Sequence, residues 1–116
     1  LYGPIASRKG VVLQWDFPEA QLKSDRELLF QVLGNHLDNA IRLSSKGDRV
    51  TVRIAEEAQG TGLFVIDQIA ENAAQKPGAA GLGLRIVTQI ADLLGADNII
   101  EANRRGIILP YPERGI

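Results

Sequence analysis

Apolar and polar positions separate most cleanly between Ser24 and Ser44, in SDRELLFQVLGNHLDNAIRLS. At about 100° per residue, Leu29, Phe30, Leu33, Leu37, Ala40 and Ile41 gather on one side. Gln31, Asn35, Asp38, Asn39 and Arg42 gather on the other. This predicts a long amphipathic helix with the first set buried. Ser24, followed three residues later by Glu27, reads as a capping box at its start.

The flanking segments follow the same logic. VVLQWD (11–16) is rich in β-formers and predicts a strand, which Pro18 ends. After the turn Ser45–Asp48, in which Gly47 can take positive φ, residues 49–56 alternate with period two, with Val50, Val52 and Ile54 inward. QGTG (59–62) predicts a hairpin turn and LFVID (63–67) the returning strand. Residues 68–80 fit either a short helix ended by Pro77-Gly78 or a loop. Residues 81–95 open on glycines and become a helix with Leu84, Val87, Ile90, Ala91 and Leu94 toward the core and Gly95 as C-cap. NIIEA (98–102) and GIILP (106–110) predict two short strands joined by a solvated Asn103-Arg104-Arg105 turn. The order predicts an α/β fold, a two-layer sandwich whose mixed sheet is covered on one face by helices. Residues 1–10 read as a linker tail and 11–116 as one domain; a start on Leu reads as a fragment of a longer protein.

Composition narrows the partners. A formal net charge of -1 gives no electrostatic reason to expect nucleic acid or an anionic membrane surface. No apolar run is long enough for a membrane span, and the start has no signal-peptide pattern. The absence of cysteine excludes disulfides and thiolate sites and fits a reducing, cytoplasmic setting.

The polar stripe of the long helix is the unusual feature. A solvated face is ordinarily Lys and Glu, whereas here two amides, Asn35 and Asn39, lie one turn apart and Arg42 follows. Asn is a poor helix-interior residue, which suggests a use. A carboxamide oxygen can ligate a hard cation such as Mg²⁺, and an Arg one turn on can reach a phosphate. Two further features accompany it, Asp67 at a strand end and Gly81-Leu82-Gly83-Leu84 entering a helix, where backbone N–H groups and the helix dipole favour negative charge.

In this order and spacing the set resembles the ATP-binding domain of sensor histidine kinases, within the superfamily that includes gyrase and the mismatch-repair ATPases. GNHLDNAIRL resembles the family's asparagine box, GLGLRIV its second glycine box, and VTVRI with LFVID the strand pair leading to its first. The resemblance runs from about Val11 to Pro110. It implies ATP and Mg²⁺ as cofactors and transfer of the γ-phosphoryl group to a histidine on a separate dimerisation domain of the same protein, with a response regulator as the further partner. It places Asn39 as Mg²⁺ ligand, Asn35 as the polar residue beside the γ-phosphate, Arg42 on a phosphate, Asp67 as acceptor for the adenine amino group, and Gly81 and Gly83 at the phosphate-side turn. A gyrase-type hydrolase would resemble the family's other branch in carrying Glu at position 35 as the base for water, a role Asn cannot fill.

The chain departs from the family pattern at the first glycine box. Where that box has Asp-x-Gly-x-Gly, Asp67 is followed by Gln68, Ile69, Ala70 and Glu71, and 13 residues separate Asp67 from Gly81, too few for a full nucleotide lid. Impaired nucleotide binding is therefore the expectation at this site. The alternative is a degenerate, non-catalytic signalling or interaction module that keeps the fold; a nucleotide sensor without transfer is a third reading. The lone histidine, His36, is expected to pack at the helix edge, and Trp15 to serve the core or an interface.

Overall fold

The computed structural model describes residues 3–17, 24–68 and 81–111. Of the segment 68–80, expected as a short helix or a loop, residues 69–80 lie outside the described residues. Element order is α1 (Gly3–Lys9), β1 (Val12–Asp16), α2 (Arg26–Leu43), β2 (Arg49–Glu57), β3 (Gly60–Ile66), α3 (Gly81–Leu94), β4 (Asp97–Ile100) and β5 (Arg104–Pro110). The strands form one sheet in the order β1-β2-β3-β5-β4. β1 runs parallel to β2 and the remaining pairs are antiparallel, so the sheet is mixed, as the sequence pattern predicts.

Period-two alternation decides which side of the sheet the helices cover. Val50 and Val52 of β2 and Leu63 and Val65 of β3 pack with Leu37, Ala40 and Ile41 of α2. Ile107 and Leu109 of β5 pack with Val32 of α2 and Val87, Ile90 and Ala91 of α3. These two clusters form the core beneath the helices, and α2 joins them.

Three local expectations are corrected. The α2 N-cap is Asp25, not Ser24: its carboxylate accepts from the Leu28 N–H at 3.1 Å, so the capping pattern lies one residue later. Phe30 has the right helical phase but is 63% exposed, since on the second turn of α2 it lines a surface groove with Phe17, Leu29, Leu33 and Ile54. The β2–β3 turn is Ala58-Gln59, and Gly60–Gly62 belong to β3. Gly62 makes room for the Phe64 ring, which a Cβ there would meet at 2.2 Å.

The turns at Gly47 (φ 91) and after α3 at Gly95 (φ 65) use the positive φ anticipated for them. Within the segment read as a linker tail, α1 docks on the domain. Ala6 is buried against α2, and the Lys9 ammonium donates to the carbonyls of Ile41 (3.0 Å) and Arg42 at the α2 C-terminus. A cation at that end offsets the helix dipole and satisfies orphan carbonyls.

Candidate functional site

The candidate residues lie on the polar edge of α2, just after β3, and at the starts of β5 and α3. Asn39 is 7% exposed: it falls at the margin of the buried arc of α2 rather than on its solvated side. Its carboxamide oxygen accepts from the Arg42 guanidinium, the i,i+3 neighbour, so the structure joins these two predicted residues. Asn35, one turn earlier, is half-buried. Arg42 also borders a cleft of about 500 Å³ with Ile5, Arg8, Lys9, Asp38 and Ile41, which gives this rim a positive character.

Asp67 continues β3 by one residue and is buried at 4% exposure. The β4–β5 turn holds its backbone: the Asp67 N–H donates to the Asn103 carbonyl at 3.0 Å, and Asn103 Nδ2 donates to the Asp67 carbonyl at 3.2 Å. Its carboxylate Oδ2 lies 3.8 Å from Arg105 Nη1. Gly81 opens α3 and Gly83 lies in its first turn, so the glycine pair stands at a helix N-terminus as the sequence predicts.

Two predicted roles change. Arg104 and Arg105 are not a solvated turn, since both belong to β5 and the turn is Glu101–Asn103. Arg104 pairs with Glu101 (Nε–Oε1 2.8 Å) and Glu57 (Nη1–Oε1 3.0 Å), and its guanidinium lies 4.4 Å from the Phe64 ring centroid. These contacts hold the Glu101 carboxyl below its ordinary range and the Arg104 guanidinium above its own. His36 is not at the helix edge either. It is 2% exposed, and neither ring nitrogen has a hydrogen-bond partner among the described residues. Burial, with the Arg105 charge as the second cause, lowers its pKa to about 4, so the ring is neutral at physiological pH.

Arg105 and Asn103 were missed by sequence reasoning. A signal for Arg105 was present, since Arg105, Ile107 and Leu109 alternate and therefore share a face, but the Asn-Arg-Arg run read more readily as a turn.

A family model, "Histidine kinase-, DNA gyrase B-, and HSP90-like ATPase", matches residues 24–108, from the start of α2 to the end of β5. The chain belongs to this ATPase family. Among solved structures, the mycobacterial sensor histidine kinase MprB matches with a TM-score of 0.67 and 26% identity over 92% of this chain and 87% of its own. Histidine kinase AdeS of Acinetobacter baumannii matches at 0.67 and 24% identity, over 93% of this chain and 59% of its own. The catalytic domain of histidine kinase ThkA, nucleotide-free, matches in fold at 0.73 and 20% identity over 94% of this chain and 84% of its own. Comparison with curated protein sequences gives no match. Within the ATPase family, the chain is an ATP-binding domain of the sensor-histidine-kinase kind, a part of two-component signalling.

The residues present fit much of what such a domain holds. No cluster of three acidic, His or Cys side chains able to cage a metal exists among the described residues. Mg²⁺ commonly takes one or two protein oxygens and completes its shell with phosphate and water. Asn39 offers such an oxygen, and Asp67 a buried acceptor.

Proposed function

We propose that this domain binds Mg²⁺–ATP through the α2 edge and the end of β3, and presents the γ-phosphate to a histidine on a separate dimerisation domain of the same protein. The observation that carries the reading is the Asn39–Arg42 pair, a buried amide hydrogen-bonded to a guanidinium inside the stretch that matches the family. Asn39 would hold the metal through its carboxamide oxygen, with Arg42 released to a phosphate oxygen. Asn35 orients the terminal phosphate, Asp67 accepts from the adenine amino group, and Gly81 and Gly83 let backbone N–H groups approach the phosphates. The metal supplies neutralisation of charge at the transferring group; the chain's own part is to position and to exclude water.

On this reading residues 11–116 make up the domain, and the preceding segment docks on it through α1. A response regulator is the onward partner, and the domain works on the cytoplasmic side. No described helix is long and apolar enough to cross a membrane. A non-catalytic signalling module is the second reading, favoured by Gln68, Ile69, Ala70 and Glu71 standing where the family carries glycines.

Calorimetric titration with ATP and ADP, with and without Mg²⁺, separates the two. The first reading expects magnesium-dependent binding that Asn39→Ala abolishes, while the empty domain loses at most about 1.5 kcal/mol of stability. Binding unchanged in Asn39→Ala would overturn the metal assignment. No binding by the wild type at millimolar nucleotide would favour the non-catalytic module.

A further inference from the structure

The two arginines that open β5 are partnered very differently. Arg104 is satisfied: Glu101 accepts from Nε and Nη2, Glu57 accepts from Nη1, and the guanidinium stacks on Phe64. Arg105, one residue on, faces the opposite side of the sheet. It shares that side with Ile107 and Leu109, and the register places it across from Val65. All three of those neighbours are buried core residues. A guanidinium in this row is out of keeping with the core around it and calls for a chemical reason.

Its surroundings do not satisfy it. The Arg105 side chain is 18% exposed, against 2% for Asp67. At 3.8 Å the two charges attract, but the separation is too long for a hydrogen bond. No hydrogen bond from the Arg105 guanidinium exists among the described residues, although the group carries five N–H donors in a planar fork. His36 flanks the same place from α2, buried and neutral, with both ring nitrogens unpartnered among the described residues. Hydrogen-bonding capacity is therefore gathered at one end of the helix-covered face without partners among the described residues to absorb it. Such groups reward a planar ligand that brings its own donors and acceptors.

We infer that Arg105 is a base-reading residue, its guanidinium and the Asp67 carboxylate forming a donor–acceptor edge for a purine ring. Asp67 accepts from the exocyclic amino group of adenine, and Arg105 donates to the adjacent ring nitrogen N1. The inference rests on the nucleotide reading of Asp67 given above and adds Arg105 to it. The 3.8 Å separation of Arg105 Nη1 from Asp67 Oδ2 places the donor beside the acceptor, so one base edge can meet both. Arg104, with its donors engaged by Glu57 and Glu101, has no part in this.

Binding of ATP and of 1-deaza-ATP, which lacks the N1 acceptor, tests the inference in the wild-type chain. We expect the wild type to bind ATP about tenfold or more tightly than the deaza analogue, the range of a hydrogen bond from a charged donor. Arg105→Met, which keeps the apolar stem, should lower ATP affinity by a similar factor and bind the two nucleotides alike. Arg105→Lys, with one compact donor group, should restore part of the preference. Equal binding of both nucleotides by the wild type would overturn the inference while leaving the nucleotide reading intact. So would undiminished ATP affinity in Arg105→Met, which would make Arg105 only a cover for the Asp67 charge. Binding of neither nucleotide at millimolar concentration would overturn this inference and the nucleotide reading together. The analogue comparison needs no substitution, so it stands even if Arg105→Met fails to fold.

Discussion

His36 can take up a proton only at a cost, because its ring is sealed under α2 with Arg105 nearby and no acceptor for it among the described residues. Its pKa is about 4 in the folded domain, against an ordinary value of 6.5. A histidine depressed on folding binds more protons in the unfolded chain between those two values. Its stabilising contribution is therefore complete above pH 6.5 and lost as the pH falls toward 4. The full gap corresponds to roughly 3 kcal/mol, and the part realised at pH 5 to about 2 kcal/mol. For a domain of this size that is a large share of the total stability. Urea unfolding at pH 7.5, 6.0 and 5.0 measures it. The midpoint should fall with little change in slope, since the buried surface is unchanged. Among the carboxylates, the Arg104 hydrogen bond holds Glu101 below its ordinary range, away from this window. His36→Leu should flatten the profile between pH 6.5 and 5. At pH 7.5 it should stabilise the domain by about 1 kcal/mol, because two unsatisfied polar atoms are removed. The chain has a single histidine, so its ring resonance gives the folded pKa directly. The reasoning fails if the wild type and His36→Leu lose stability in parallel. It also fails if the ring titrates near 6.5 in the folded domain.

The remaining expectations concern the frame around the site. Gly106→Ala would put a Cβ 1.9 Å from the Leu63 carbonyl oxygen on the neighbouring strand, and backbone cannot yield there without parting β3 from β5. Thermal unfolding should show a loss of about 3 kcal/mol or more, or no folded protein. Gly47→Ala, where φ is 91 and a Cβ would meet nothing within 4 Å, should lose only about 1 kcal/mol from backbone strain. Asp25→Ala removes the acceptor at the start of α2 and should cost about 1 kcal/mol; no change would mean that Ser24 takes over the cap. Arg104→Ala should cost about 1 kcal/mol, part of it screened away at high salt, because the stacking on Phe64 persists in salt while the Glu101 pair does not.

By itself the sequence determined the elements whose signals are local. The 3.6-residue period between Ser24 and Ser44, the period-two run through Val50, Val52 and Ile54, and the glycines at positions 47 and 95 each depend on neighbours a few residues away. They were enough for a mixed sheet under helices and for the asparagine face of α2. The family resemblance came from GNHLDNAIRL together with GLGLRIV and the VTVRI and LFVID strand pair. The tertiary structure alone decided which polar groups are engaged and with whom. Asn39 became buried, and the ring of His36 was sealed in, because α2 lies across the sheet at a depth that helical phase does not reveal. Arg104 and Arg105 are adjacent in sequence yet face opposite sides of β5, one toward Phe64 and two glutamates, the other toward Asp67. Asp67 and Arg105 are 38 positions apart in the chain and meet only because β3 pairs with β5 rather than with β4. Strand order of that kind is set by long-range packing of the sheet against α2 and α3, and no window of local sequence contains it.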